Sequence, residues 1–333
     1  MNDKNFNCYN IDCIEGSKKY LKDNFVDLII TDPPYGIDGH LLHKHYKRNE
    51  DFVIDGYQEV GIKEYPEFSK KWIKEAERVL RPGGSIYIVS GYTNLVHILN
   101  ALRETSLVER NHIIWKYNFG VYTQKKFVSS HYHILYYIKP PESEITFNTN
   151  CRYNQSQKTE NGRSKLYNDM QDVWQINKKY KPQEKKNKNE LPEELLLKMI
   201  LYSSNPNDVV CDFFGGSFST IKVAIGTARY GIGFELNTNS FTEHLKELEE
   251  TENGFLLENL IKPEGFNIKN KGKKWTKEEI ESLITKYKHF TEVEKLSKKK
   301  SIEKLSLEFD RGNFSIKNIL EKYNTDFTQI IAD

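Results

Sequence analysis

The chain has 333 residues and a formal net charge of +2, and 38% of its residues are hydrophobic and 29% charged. This length can hold one large domain or two, each with a sizeable core. No apolar run approaches the length of a transmembrane helix, and residues 1–9 lack the apolar segment of a signal peptide, so we expect a cytoplasmic protein without membrane contact. The four cysteines lack C-x-x-C spacing, which argues against structural zinc or a disulfide framework; they are Cys8, Cys13, Cys151 and Cys211.

The first half of the sequence predicts alternating strands and helices. Short, β-branched apolar runs such as V-D-L-I-I are typical of buried strands in a parallel sheet. Apolar residues at helical spacing, followed by R-P-G-G, indicate a helix that ends in a turn. The predicted elements are a strand over 7–11, a helix through Leu21, a strand over 27–30, a helix over 68–80, a turn over 81–84, a strand over 85–90, a helix over 93–104, and strands over 113–116 and 133–138. We therefore predict an α/β fold.

The strand over 27–30 ends in T-D-P-P-Y, which joins several chemical functions in one elbow. Pro33 and Pro34 fix the backbone and remove N–H donors, so the chain leaves the sheet as a stiff turn rich in carbonyls. Open α/β sheets bind ligands at this edge. Asp32 offers a carboxylate, Pro33 a carbonyl and Tyr35 a flat ring, which together suit a planar heterocycle with an exocyclic amino group. The alternative is an ordinary Asp-Pro turn after a strand.

Two polar regions are candidates for contact with nucleic acid. The long loop over 36–66 contains three histidines and Lys47, and closing over a base or its phosphates suits it better than binding a metal. Over about 140–188, lysines interleave with tyrosines and amides, and Arg152, Arg163 and Lys165 could contact phosphates or base edges. A solvated insertion with no contact role is the alternative for this second region.

The sequence over 208–220 predicts a strand, a small-residue turn and a helix, which lets backbone N–H groups approach a ligand. A helix over 190–202 precedes this unit, and a strand over 231–235 follows the helix over 221–229. That last strand ends in Glu235, which is suited to accept hydrogen bonds from ribose hydroxyls. A glycine turn and an acid at neighbouring strand ends predict a nucleoside cofactor; the candidate residues are Asp212, Phe213, Phe214, Gly215, Gly216, Ser217 and Glu235. The alternatives are an αβ repeat with no ligand, and a core position for one of the two phenylalanines.

The tail over 274–333 is predicted to be a separate helical module. W-T-K-E-E begins its first helix, where Thr276 and Glu279 fit a capping box. Helices are predicted over 277–289, 301–308 and 314–323. The opening resembles a Myb-like or helix-turn-helix module, whose last helix would enter a major groove. A dimerisation or packing bundle is the alternative.

These motifs together resemble the β-class DNA amino-methyltransferases. D-P-P-Y resembles the catalytic motif of that family, D-F-F-G-G-S-F-S-T resembles its cofactor motif D-x-F-x-G-S-G-T, and R-V-L-R-P-G-G-S-I-Y-I is similar to a helix-turn-strand found after the elbow. The order of the motifs also fits, with the basic insertion between them. Three residues depart from the family pattern: Phe218 replaces the usual second glycine, Tyr132 stands where the family usually has an acid, and Leu191 stands before Pro192 where lysine is frequent.

The resemblance implies a Rossmann-like methyltransferase sheet with helices on both faces over 1–262, with a target-recognition region inserted at about 140–188. It implies S-adenosylmethionine as the cofactor, with Asp12 facing its adenine and Asp32 also lining its site. The alternative for Asp12 is a solvated turn or a helix cap. The expected reaction is methylation of adenine N6 in a base flipped out of double-stranded DNA, with Asp32, Pro33, Pro34 and Tyr35 as the catalytic residues. Cytosine N4, RNA and an inactive nucleic-acid-binding paralogue remain alternatives. A cognate restriction endonuclease and a homodimer are possible partners.

Overall fold

The computed structural model describes residues 5–36, 60–118, 120, 123–148, 170–177, 190–257, 270 and 273–323. The chain divides into two compact units, Met1–Pro263 and Glu264–Asp333. In the described part of the chain, no helix combines the length and apolar character that crossing a membrane requires.

The first unit alternates strands with helices, as its sequence predicts. Its strands are β1 (Phe6–Tyr9), β2 (Val26–Thr31), β3 (Leu80–Ser90), β4 (Val108–Lys116), β5 (His131–Ile138), β6 (Val173–Gln175), β7 (Val209–Asp212) and β8 (Tyr230–Phe234). Its helices are α1 (Cys13–Tyr20), α2 (Tyr65–Val79), α3 (Leu95–Arg103), α4 (Glu193–Ser203), α5 (Ser219–Gly226) and α6 (Thr238–Glu249), with a 3-10 turn at Glu142–Glu144.

The strands form one mixed sheet in the order β1-β8-β7-β2-β3-β5-β4-β6. From β1 to β3 all neighbours are parallel, β5 is antiparallel to both β3 and β4, and β6 is parallel to β4. The strand that carries the elbow, β2, therefore lies directly beside β7, which carries the glycine turn. Their carboxyl ends meet at the same edge of the sheet, which is where this class of sheet binds ligands.

Helices cover both faces of this sheet, as predicted. One face packs Leu28 and Ile30 of β2 against α4 through Leu195 and Met199. The other face packs Ile29 against helices α2 and α3, with Trp72 at its centre. Because successive residues of β2 point to opposite faces, the apolar run of this strand supplies both cores. The Rossmann-like sheet expected from the sequence is confirmed.

Several boundaries differ from the predictions for reasons of pairing. The R-P-G-G turn predicted over 81–84 lies inside β3, where Gly83 has φ +72° and its amide donates to Lys139 O. Strand β4 begins at Val108, five residues before the prediction, because β5 pairs along its whole length. Strand β6 and helix α6 were not predicted. Strand β6 has three residues, two of them exposed, so it carries no apolar run and forms by pairing with β4.

The described residues of the second unit form three α-helices, α7 (Lys277–Lys288), α8 (Lys298–Glu308) and α9 (Asn313–Tyr323), with a π-helical turn at His289–Val293. The predicted capping box is present, since Thr276 accepts from the Glu279 amide and Glu279 accepts from the Thr276 amide. Arg311 is buried, pairs with Glu279 at 2.9 Å and lies 4.1 Å from the centre of the Trp275 ring. The aromatic and the acid of W-T-K-E-E are therefore part of this unit's own packing. Its helix-turn-helix role stays a prediction.

Candidate functional site

The elbow at Asp32–Gly36 leaves the sheet at the end of β2, and the side-chain amide of Asn94 holds its outer end. Asn94 Nδ2 donates to Tyr35 O at 2.6 Å and to Gly36 O at 2.9 Å. Gly36 has φ +64°, and a Cβ there would lie 2.5 Å from the Tyr65 ring, so the position requires glycine. Asn94 is only 8% exposed, so its amide is well fixed. The end of the elbow is thus hydrogen-bonded to the N-cap residue of helix α3.

The contact of Asn94 with the elbow was not predicted from the sequence. It occupies the N-cap position of α3, where asparagine is among the favoured residues, yet its side chain makes no capping hydrogen bond. Its two N–H groups donate to the elbow instead. T-N-L-V-H before a helical pattern signals an N-cap, and nothing in that local signal shows that the amide turns toward a segment 59 residues earlier.

A row of aromatic side chains packs against Tyr35 of the elbow. Tyr35 stacks on Tyr132 with ring centres 6.0 Å apart and an angle of 24° between the planes. Tyr132 in turn stacks on Trp115 at 5.4 Å and contacts Tyr117 at 5.4 Å. The residue that replaces the usual acid of the family therefore extends a row of rings that begins at Tyr35. Such packing orients the Tyr35 ring beside the elbow.

Asp212 links the strand of the glycine turn to the strand of the elbow. It is 5% exposed and accepts hydrogen bonds from the Thr31 hydroxyl and the Phe214 amide, both at 3.0 Å. Burial raises the pKa of Asp212 to about 7, and the Thr220 and Thr31 hydroxyls and the Phe214 amide oppose that shift. Because its hydrogen bond with Thr31 joins β7 to β2, Asp212 holds the ends of these two strands beside each other. The two motifs predicted from the sequence are therefore held side by side.

The glycine turn after β7 is tied to the end of β8. Gly215 N donates to Phe234 O at 2.7 Å, and Gly216 N donates to Glu235 Oε2 at 2.7 Å. Glu235 Oε1 accepts from the Asn237 amide at 2.7 Å, and burial raises the pKa of this carboxyl. Gly216 has φ +52°, and a Cβ there would find its nearest neighbour, Phe214 O, only at 4.0 Å. The turn thus leaves room beside a carboxylate that accepts hydrogen bonds.

The backbone and packing of Phe218 show how a phenylalanine fits where the family usually has glycine. It has φ +55°, the left-handed conformation that glycine adopts at little cost, and its ring is fully buried. A Cβ at Gly215 would lie 2.3 Å from Phe218 Cε1, and one at Gly233 would lie 2.8 Å from the same atom. The ring therefore fills the space beneath two glycines and contacts Phe241 edge-on at 5.9 Å. Burial of the ring offsets the backbone strain, and the turn keeps a left-handed residue at this position.

The remaining predicted cofactor residues occupy different surroundings. Asp12 caps α1, because its Oδ1 accepts from the Ile14 and Glu15 amides at 2.9 and 3.2 Å. Phe213 is buried in the core against Trp72 and Phe234. The other predicted ring, Phe214, is half-buried and packs edge-on against Trp72, and Ser217 is half-buried in the turn. Lys47, Arg152, Arg163 and Lys165, the predicted DNA contacts, lie outside the described residues.

The cysteines and histidines of the described chain form no metal site. Among described residues, no group of three or more His, Cys, Asp or Glu side chains is arranged to hold a metal ion. Burial raises the pKa of the Cys8, Cys13 and Cys211 thiols, which are all free. These thiols therefore remain protonated and act as small packed side chains.

Comparison with known proteins identifies the family. Residues 26–246 match the profile of the N6_N4_Mtase family, described as DNA methylase. Type II methyltransferase M.HpaI of Haemophilus parainfluenzae is 33% identical over 250 residues, covering 71% of this chain and 72% of that protein. DNA adenine methyltransferase YhdJ of Escherichia coli K12 is 32% identical over 277 residues, covering 78% of this chain and 89% of that protein.

Solved structures share the fold at lower identity. The TTHA0409 protein of Thermus thermophilus, solved with S-adenosyl-L-methionine, has a TM-score of 0.53 at 19% identity, covering 74% of this chain and 94% of that one. The cytosine-N4-specific PvuII DNA methyltransferase also has a TM-score of 0.53, at 16% identity, covering 78% of this chain and 92% of that one. The architecture, the paired motifs and the family match agree: this chain belongs to the N6/N4 DNA methylase family.

Proposed function

We propose that this protein is a site-specific DNA methyltransferase that transfers a methyl group from S-adenosylmethionine to N6 of adenine. The observation that carries the proposal is the hydrogen bond from Thr31 to Asp212, 181 residues apart in sequence. It holds the D-P-P-Y elbow and the glycine turn at neighbouring strand ends. A donor and an acceptor of a methyl group must be brought together in this way, since alignment supplies much of the catalysis of such a transfer.

The residues around the glycine turn fit the cofactor. Gly216 leaves open space beside the turn, and Glu235 lies at the next strand end with a carboxylate suited to accept from ribose hydroxyls. Phe214 offers a half-buried ring at the same edge. When bound, S-adenosylmethionine supplies an electrophilic methyl group on a sulfonium. Asp12 remains a candidate on the adenine side, where its second carboxylate oxygen could act while Oδ1 caps α1.

The elbow positions the amine that is to be methylated. With the adenine flipped out of the duplex and stacked on Tyr35, the Asp32 carboxylate and the Pro33 carbonyl accept its two amino hydrogens. This draws the nitrogen out of conjugation with the ring and directs its lone pair away from the two acceptors. Asn94 fixes the far end of the elbow, so the acceptors are positioned before the base arrives. The chain needs no covalent intermediate for this reaction.

Adenine is favoured over cytosine by the first residue of the elbow. The family's cytosine-modifying members commonly carry serine at that position, whereas this chain carries Asp32. The resemblance to YhdJ, named as a DNA adenine methyltransferase, extends over 78% of the chain and supports the same choice. Similarity to Type II methyltransferases supports a cognate restriction endonuclease as a functional partner. The homodimer and the C-terminal helix-turn-helix role stay predictions.

The test is to sequence DNA from cells that express the protein by a long-read method that detects modified bases. Wild type should place N6-methyladenine in one sequence motif, and Asp32→Ala should place none while still binding S-adenosylmethionine by calorimetry. Asp23→Ala is the matched control, because Asp23 is an exposed acid just before the same strand and lies 70% exposed in a surface ion pair. Methylated cytosine in the wild-type sample would refute the choice of base, and normal methylation by Asp32→Ala would refute the catalytic assignment.

A further inference from the structure

The connection between β4 and β5 is a hairpin that projects from the active-site edge of the sheet. Its base continues the strand pairing, with Tyr117 N donating to Ser130 O at 3.0 Å. Its two arms stay in contact further out, since a Cβ at Gly120 would lie 2.1 Å from Val128 Cγ1. Near the tip, the Thr123 hydroxyl donates to Lys126 O. These contacts define the turn over the described residues 123–128.

The tip carries a solvent-exposed phenylalanine next to two lysines. Phe127 is 98% exposed, the highest value among large hydrophobic side chains in the described residues, and the next is Tyr92 at 83%. Lys125 and Lys126 precede it and are also exposed. A single exposed apolar residue is common on protein surfaces. A fully exposed ring at the tip of a basic hairpin contributes little to the stability of the fold. The ring is therefore available to contact a binding partner.

This part of the chain is free of acidic residues. No Asp or Glu occurs between Glu109 and Glu142, although the whole sequence contains 47 of them. The basic residues at the active-site end of this interval are Lys116, Lys125 and Lys126. Arg110 and Lys139 lie at the opposite edge of the sheet, where Arg110 pairs with Glu142 at 2.6 Å and Lys139 Nζ donates to Leu80 O at 2.8 Å. A segment of one charge sign beside the substrate site creates a local field that attracts a polyanion.

The hairpin also lies next to the catalytic elbow. Tyr132, two residues beyond its base, stacks on Tyr35 at 6.0 Å, and Tyr117 at the other arm contacts Tyr132 at 5.4 Å. A duplex that delivers a base to Tyr35 therefore has to pass along this edge. The tip follows β4 and precedes β5 at this same edge of the sheet.

We propose that the tip of this hairpin, 123–130, enters the duplex during base flipping. Lys125 and Lys126 contact backbone phosphates, and the Phe127 ring fills the gap in the base stack that the extruded adenine leaves. Extrusion costs stacking and pairing energy, and apolar wedges inserted between base steps are a known physical means of offsetting that cost. This inference rests on the proposed function, because it presupposes a DNA duplex with a flipped target base.

The test uses duplexes with the recognition sequence found by methylation sequencing, with 2-aminopurine in place of the target adenine, whose fluorescence rises on leaving the stack. We expect Phe127→Ala to bind the paired duplex about tenfold more weakly, the effect of losing one base-aromatic stack, with a smaller fluorescence rise. The deficit should shrink on a duplex whose target base is mispaired, since a mispaired base is cheaper to extrude. Phe25→Ala, which removes an exposed ring at the opposite edge of the sheet, is the matched control.

The lysines have a separate signature. Removing Lys125 and Lys126 together should weaken binding to paired and mispaired duplexes equally and lower the slope of log affinity against log salt by about two. Equal losses for Phe127→Ala on both duplexes, or wild-type binding and fluorescence, would overturn the wedge. A wild-type protein that neither methylates nor binds DNA would instead refute the proposed function, and the wedge with it.

Discussion

Replacing Asn94 should slow methyl transfer while leaving cofactor binding unchanged. Its amide donates two hydrogen bonds to the elbow carbonyls, at 2.6 and 2.9 Å. Each such bond contributes about 1 kcal/mol, so Asn94→Ala loses about 2 kcal/mol from the geometry of the elbow. If that geometry is needed at the transition state, about 1.4 kcal/mol per tenfold makes the expected decrease in kcat roughly thirtyfold.

Asn94→Asp separates a positioning role from a general loss of packing. At neutral pH the aspartate cannot donate and repels both carbonyls, so we expect it to be slower than Asn94→Ala. As the pH falls, its carboxyl is protonated and can donate one hydrogen bond, so the ratio of its kcat to that of Asn94→Ala should rise. Single-turnover methylation, with enzyme in excess over DNA sites, measures the rate of methyl transfer by both variants between about pH 5.5 and 8. The ratio of the two rates at each pH tests this expectation.

The matched control is Asn148→Ala. Asn148 Nδ2 also donates to two backbone carbonyls, Leu201 O at 2.9 Å and Ser204 O at 3.0 Å, but these lie at the C-terminal end of α4, not in the elbow. It should lose a similar amount of stability with little change in kcat. Wild-type kcat for Asn94→Ala, or a ratio that does not change with pH, would refute the positioning role.

Two further predictions concern stability, both measured by urea unfolding. Phe218→Ala and Phe218→Gly should each lose about 3–5 kcal/mol of core packing, but the glycine variant should be the more stable by about 1 kcal/mol because it relieves the left-handed strain at φ +55°; equal stabilities would contradict this account. Asp212, with a pKa of about 7 when folded against an ordinary value of 3.8, binds a proton more tightly in the folded state, so its favourable contribution is complete below pH 3.8 and is lost as the pH rises through 7. Asp212→Asn should therefore remove a decline of up to about 1.4 kcal/mol per pH unit in that interval, and an unchanged pH profile would show that the carboxyl is ionised when folded.

The elements that sequence predicted best are those whose causes are local. The two prolines after V-D-L-I-I end β2 wherever that strand lies, and the small residues of D-F-F-G-G-S turn the chain regardless of its neighbours. The capping box of α7 is likewise formed by side chains three residues apart. The family resemblance and most elements of the fold followed from such patterns, although β6 and α6 did not. Each of these depends on a few adjacent residues.

The features that only the tertiary structure decided are partnerships between distant segments. An apolar strand pattern shows that a strand is buried but not which strand lies beside it, so the pairing of β2 with β7 and the bond from Thr31 to Asp212 could not be predicted. For the same reason an asparagine before a helix predicts a cap, yet Asn94 holds the elbow. Phe218 shows the converse case, because its strained backbone is possible only where two glycines of separate segments leave room for its ring. The sequence alone determined the two motifs and predicted which residues carry the chemistry, and the packing of the sheet determined what holds the motifs side by side.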